Sequence, residues 1–240
     1  MENVKIEQIH LSASTVANMV KLPQYMIDYL WECIDVAKKE KNDTKDVLAG
    51  QISHSYTLKD PLNLITKDLM DILMDPQSPT MKNIQSEIDK NFCRFSNPED
   101  FKLEPHLNGL WVNFQKKCEF QPIHNHTGQF SFVIWMDIPY HWKDEAKLPF
   151  VRSNNEIPPG GNFSFVQCDN KSRSTYDYII QLSPSKNGYC CFFPSDLSHQ
   201  VYPFYTSDKE RISISGNIVF EIVGAPEQRS QQFPFLISNT

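Results

Sequence analysis

Three histidines and one arginine carry the chemistry that this sequence offers. His124 and His126 lie two residues apart in Gln121-Pro122-Ile123-His124-Asn125-His126-Thr127-Gly128, His199 closes Pro194-Ser195-Asp196-Leu197-Ser198-His199, and Arg211 follows. Side chains two apart on an extended strand project from the same side, so a single ion is within reach of both imidazoles of the first pair. A third ligand must come from elsewhere in the fold, and His199 is the candidate. Neutral imidazole suits iron, zinc, copper and nickel alike, so ligand type alone names no metal. Arg211, Ser213 and Ser215 alternate with Ile212 and Ile214. On a strand this puts a guanidinium and hydroxyls on one face, an arrangement suited to a bidentate grip on a carboxylate.

Strands must position these groups, and the flanks have strand character. Gln129 to Ile138 is aromatic and β-branched, Tyr189 to Phe193 runs into a Pro-Ser turn just before His199, and Arg211 to Phe220 begins with strict alternation. Asn162 to Val166 and Tyr176 to Ile180 read as further strands. From Phe101 onward short strands and turn-rich spacers give the rhythm of a double-sheet jelly roll. Earlier, Val4 to Ser12 reads as an opening strand. Pro23 to Lys41 carries Met26, Tyr29, Leu30, Cys33 and Val36 at helical spacing, Pro61 to Met74 repeats the pattern, and Met81 to Asn91 suggests another helix.

Taken together, Trp111-Val112-Asn113-Phe114, Pro122 to His126, Phe192 to Ser195, His199 to Pro203 and Arg211 to Asn217 resemble the iron(II) and 2-oxoglutarate-dependent oxygenases, and within them the 2OG-Fe(II) oxygenases common in marine phages and bacteria. The resemblance covers Trp111 to Phe220 well. The first hundred residues match only loosely, through Leu48-Ala49-Gly50-Gln51-Ile52. It implies a mainly β fold, a double-stranded β-helix of the jelly-roll or cupin-like kind, with N-terminal helices packed on the sheet. One domain is expected over 1–240, with 1–100 mostly helical support and 101–240 the core.

The resemblance also implies iron(II) held by His124, His126 and His199, with open positions for 2-oxoglutarate and dioxygen. Arg211, Ser213 and Asn113 would hold the cosubstrate, Trp111 and Trp135 are possible pocket walls, and no catalytic residue is expected beyond the metal ligands. Oxidative decarboxylation to succinate and carbon dioxide would drive hydroxylation of a substrate C–H bond. The family's usual first motif is His-x-Asp or His-x-Glu, and here no acid lies between Gln121 and Met136. Two ligand sets are therefore open. Either all three histidines bind, or His126 and His199 bind and Gly128 stands where the carboxylate would be, as in the His-x-Gly halogenases and aspartyl/asparaginyl hydroxylases.

Other functions compete with this one. A three-histidine cupin-type dioxygenase would need no oxo-acid, and a jelly-roll binding or structural protein would need no metal. A zinc hydrolase is disfavoured because no acid sits beside the histidines as general base.

Composition fits an enzyme of ordinary solubility. At 240 residues, 40% hydrophobic and 22% charged, the chain can bury a sizeable core. No apolar run approaches the roughly 18 residues that span a bilayer, and no signal segment opens the chain, so a cytoplasmic protein with no membrane partner is expected. A net charge of −6 with scattered basic residues argues against nucleic acid as a partner. Six cysteines without zinc-type spacing read as free thiols, and adjacent Cys190 and Cys191 should face opposite sides of a strand. The substrate, a small molecule or a protein, is not readable, nor is oligomeric state. The loop from His141 to Gly161 is the expected lid.

Overall fold

The computed structural model describes residues 5–11, 16–45, 48–73, 102–151, 157–169 and 174–223. In chain order its elements are β1 (Ile6–His10), β2 (Val16–Lys21), α1 (Gln24–Glu40), β3 (His54–Thr57), a π-helical turn (Ile65–Leu69) running into α2 (Met70–Leu73), β4 (Lys102–Gln115), β5 (Gln121–His124), β6 (Phe130–Asp137), α3 (Trp142–Glu145), β7 (Phe163–Asp169), β8 (Ser174–Ile180), β9 (Tyr189–Pro194), β10 (His199–Val201) and β11 (Arg211–Val223). The expected helix at Met81 to Asn91 lies outside the described residues.

Two antiparallel sheets form the jelly roll. The larger has the order β1-β2-β9-β6-β11-β4-β3 and the smaller β5-β10-β7-β8. Period-2 alternation divides the residues of the large sheet between two cores. Val112, Phe114, Ile134, Cys190, Ile212 and Ile214 pack on the helical side, while Val133, Trp135, Cys191 and Phe193 face Phe163 and Phe165 of the small sheet. Cys190 and Cys191 do fall on opposite faces.

Helix α1 supplies Met26, Tyr29, Leu30, Cys33, Ile34 and Ala37 to the helical side, a spacing of three and four residues that keeps one stripe buried. Val36, expected on that stripe, is 45% exposed; Ile34 and Ala37 take its place. The helix ends at Lys41, whose left-handed backbone lets its N–H reach the carbonyl of Ala37. Asp60 organises the next helical segment by accepting from the N–H groups of Leu64, Ile65 and Thr66 and from the hydroxyl of Tyr29, which ties it to α1.

Two expectations need correction. Residues before 100 are not only helical support, because β1, β2 and β3 extend the large sheet at both edges. Nor are the strands after 101 uniformly short: β4 has 14 residues and β11 has 13, paired along almost their whole length. Pro105 and Gly109 obscure β4 in the sequence, and Gly216 sits at a register shift in β11.

Candidate metal and cosubstrate site

The three histidines converge. His124 ends β5 and pairs directly with His199 at the start of β10, so two ligand candidates come from neighbouring strands of the small sheet. His126 lies beyond the end of β5, not on its face, and is brought back because its N–H donates to Ser195 O at 2.9 Å. Ring centroids are 4.3 Å apart for His124 and His199, 5.1 Å for His124 and His126, and 5.0 Å for His126 and His199. One nitrogen from each ring lies within 4.8 Å of the others.

Backbone carbonyls fix the tautomers of two rings. His124 Nδ1 is 2.7 Å from Pro122 O, and His199 Nδ1 is 2.9 Å from Leu197 O. A carbonyl only accepts, so each Nδ1 carries the proton and each Nε2 keeps its lone pair. His126 Nε2 lies 3.2 Å from His199 Nε2. For His124 and His199 the far ring nitrogen is engaged by a carbonyl, the outer-shell pattern of metal-binding histidine.

Burial keeps all three rings neutral. It pushes His124 below the usual imidazole range, pushes His126 down to about 4 with help from the charge of His124, and holds His199 well below, where both partners add to the effect. The unfolded chain therefore takes up protons first as pH falls below about 6.5. The metal-free protein should lose stability as pH falls below about 6.5, by at most ~1.4 kcal/mol per pH unit per histidine, with the His126 share fully lost by about pH 4 and none of it regained at lower pH. Thermal unfolding of wild type and His126→Asn across that range checks this. A variant no flatter than wild type would contradict it.

Arg211 lies across the same cavity. It is 2% exposed, and its Nη1 donates to the Tyr140 hydroxyl and to Gly161 O (3.2 Å), while Nη2 donates to Gln115 Oε1 (2.5 Å). Gln115 is itself oriented, since its Nε2 donates to Glu119 O. The guanidinium also lies 5.8 Å from the Tyr140 ring and 5.7 Å from the Phe204 ring. None of these partners is anionic, and among the described residues no carboxylate pairs with Arg211. A buried cation of this kind calls for an anion. The contacts use three of its N–H groups; of the five that arginine carries, one on Nη2 and that on Nε remain, enough for a bidentate grip.

The expected face alternation holds. Across the large sheet Arg211 pairs with Gln115, Ser213 with Asn113 and Ser215 with Trp111, and all six line one cavity of about 460 Å³ together with the three histidines. Trp135 lines it too, and the Trp111 ring lies 5.7 Å from that of His126. Asn113 Oδ1 accepts from the buried Ser55 hydroxyl at 2.7 Å, so what it can offer a ligand is its Nδ2–H donors.

Gly128 is differently placed. Its φ is +93°, and a Cβ there would lie 2.8 Å from Ile218 O, so a side chain at this position would be aimed at β11 and not at the imidazoles.

Several participants carry no local sequence signal. Tyr140, Gly161 and Gln115 reach Arg211 from 50 to 96 residues away. Ser131 donates to Asn217 Oδ1 (3.0 Å) and shares a hydrogen bond with the Ser195 hydroxyl (2.8 Å), a buried chain that anchors the turn holding His126. The expected lid, His141 to Gly161, is described only over 141–151 and 157–161. No described residue of 141–161 lines the cavity; Thr44 and Leu48 to Gly50 do. Buried Glu145, within the described residues 141–151, accepts from the N–H groups of Tyr205 and Thr206.

Gly161 links this segment to the site. At φ +73°, a Cβ would meet Tyr140 Cε2 at 2.8 Å and Glu145 Cγ at 2.9 Å. Gly161→Ala should lower the unfolding free energy by about 1–3 kcal/mol and loosen the Tyr140–Arg211 contact. Chemical denaturation measures the first effect. Wild-type stability in the variant would contradict the packing described.

Residues 109–217 match the family described as "Putative 2OG-Fe(II) oxygenase". The family is one of oxidoreductases that use iron(II) and 2-oxoglutarate. Similar solved structures include a Pseudomonas putida prolyl-4-hydroxylase (16% identity, TM-score 0.44, covering 85% of this chain and 92% of that one). An oxidoreductase of the 2OG-Fe(II) oxygenase family from Burkholderia pseudomallei follows (12%, 0.32, 90% and 73%). So does EvdO2 from Micromonospora carbonacea var. aurantiaca in complex with 2-oxoglutarate (11%, 0.34, 94% and 98%). Likeness at this level says nothing of substrate. No curated protein matches the chain. Among the described residues no helix is long and apolar enough to cross a membrane.

Proposed function

We propose that this protein is an iron(II)- and 2-oxoglutarate-dependent dioxygenase that hydroxylates a C–H bond, with His124, His126 and His199 as metal ligands and Arg211 as the anchor for the cosubstrate's distal carboxylate. The observation that carries the reading is Arg211: a buried cation without a carboxylate partner among the described residues, lining the same cavity as three neutral imidazoles. Iron, when bound, supplies the dioxygen chemistry, in which 2-oxoglutarate, dioxygen and a C–H bond become succinate, carbon dioxide and C–OH.

The chain's own residues bind and orient. The Pro122 and Leu197 carbonyls hold two ligand rings in the required tautomer, and Tyr140, Gly161 and Gln115 hold the guanidinium so that its two remaining N–H groups serve the carboxylate. Ser213 and Asn113, paired across β11 and β4 beside Arg211, are the further polar contacts for the cosubstrate. With three neutral ligands the metal's charge is not offset by protein, which favours a dianionic cosubstrate over a neutral one.

A dioxygenase working without oxo-acid would share the histidines but would leave Arg211 without its anion. Succinate formation from 2-oxoglutarate by the iron-loaded protein, with dioxygen consumption followed in parallel, separates the two. Succinate formation that depends on iron supports the proposal; dioxygen consumption that is indifferent to 2-oxoglutarate refutes it.

A further inference from the structure

Resting on the dioxygenase reading, the cavity has a cosubstrate end at Arg211 and a second end beside His126. Arg211 opens β11, and Asn217 lies six residues further along the same cavity-facing side. At about 3.3 Å per residue the two are roughly 20 Å apart along the strand, more than a five-carbon dicarboxylate gripped by Arg211 can span. Asn217 stands instead beside the turn that carries His126. Gln129 N–H donates at 2.9 Å to the carbonyl of Ile218, the residue after Asn217. Trp111, whose ring is 5.7 Å from that of His126, pairs across the sheet with Ser215. Trp111 is thus a diagonal neighbour of Asn217, a separation that an aromatic side chain bridges.

The Asn217 carboxamide is fixed in one orientation. Its Oδ1 accepts at 3.0 Å from the hydroxyl of Ser131, which lies directly across on β6. Ser131 gives its one proton to that carbonyl oxygen, so it accepts from the Ser195 hydroxyl 2.8 Å away. Both serines are buried. Asn113 is held in the same manner by Ser55, directly across on β3. On the other side of β11 the pairing with β4 shifts register between Gly216 and Ile218 and passes over Asn217, the kind of irregularity that re-aims a side chain next to a site. What remains is Asn217 Nδ2, whose two donors no hydrogen bond among the described residues uses. The atom is not sealed off: Asn217 lines the cavity, and Nδ2 is open to water there. A carboxamide pinned at its oxygen, with its donors turned to a cavity, is organised in advance for an acceptor.

We propose that Asn217 is a substrate-binding residue, whose Nδ2–H groups donate to a carbonyl oxygen of the substrate, in an amide or a carboxylate, while the group that bears it lies against Trp111.

The zinc-loaded protein, which holds ligands without turnover, allows a direct test. In isotopically labelled protein the NH2 signal of the Asn217 side chain is identified by its loss in Asn217→Asp, a variant that keeps an acceptor for Ser131 and removes both donors. 2-Oxoglutarate, added first, should bind without moving that signal downfield. Acetamide or acetate, added next, should move it downfield to saturation, and the tighter of the two tells amide from carboxylate. Followed at the Trp111 indole N–H, the tighter probe should bind Asn217→Asp about three- to tenfold more weakly. A residue that served only to anchor Ser131 would tolerate the change to Asp. A downfield shift caused by 2-oxoglutarate itself, an Asn217 signal that neither probe moves, or equal binding by Asn217→Asp would each overturn the inference. If 2-oxoglutarate binds in those samples, this inference fails alone. If 2-oxoglutarate also fails to bind, the dioxygenase reading fails with it.

Discussion

His199→Ala should lower iron(II) affinity by at least about a hundredfold, beyond what changes to outer-shell partners cost in metal sites. His199 is 3% exposed and central to the ligand cluster, with its Nε2 3.2 Å from that of His126 and its tautomer set by Leu197 O. The ring also packs against Phe163 and Phe193, with centroids 5.4 Å and 4.9 Å away. Its removal leaves a cavity and costs about 2–4 kcal/mol of stability. Metal binding by calorimetry under anaerobic conditions, on protein shown to be folded by circular dichroism, separates the two effects. Unchanged affinity in a folded variant would remove His199 from the ligand set.

Arg211→Met should raise the dissociation constant of 2-oxoglutarate by about a hundredfold or more while iron binding stays. The guanidinium is already desolvated and held by Tyr140, Gly161 and Gln115, so the site is organised before the dicarboxylate arrives. Methionine fills similar volume without placing an unpaired charge in the interior. The variant should therefore stay folded, the lost hydrogen bonds being offset in part by removal of a buried cation. Arg211→Lys should not rescue binding, because an ammonium cannot offer two parallel donors. Competition binding against succinate measures the change. A methionine variant that holds 2-oxoglutarate as tightly as wild type would show that the anchor lies elsewhere.

Much of this site was legible before any fold was known, for a physical reason. Period-2 alternation on β11 places Arg211, Ser213 and Ser215 on the cavity side and Ile212 and Ile214 in the helical core, a pattern that local sequence alone carries. His199 was legible because a strand and a Pro-Ser turn deliver it. The His124 and His126 pair was found for a partly incorrect reason. The two are not neighbours on one strand face: β5 stops at His124, and a hydrogen bond to Ser195 returns His126 to the cluster.

What stayed hidden depends on pairing across long separations. Nothing near Tyr140 or Gln115 announces that it holds Arg211, and the Ser131, Ser195 and Asn217 chain forms only when β6, β9 and β11 lie side by side. Strands β2 and β3 were missed because strands of six and four residues are too short to carry a sustained pattern. Thr44, Leu48, Ala49 and Gly50 line the cavity without any sequence signal that marks them as wall, since length and composition do not say which end of the sheets a loop covers.

The most direct test of the three-histidine site is an anaerobic titration of the apoprotein with iron(II) and then 2-oxoglutarate, following the visible metal-to-ligand charge-transfer absorption in wild type and His124→Ala. Wild type should develop the band at one equivalent of iron, and His124→Ala should not. A full band in His124→Ala would instead assign the iron to His126 and His199 alone and contradict the ligand set described here.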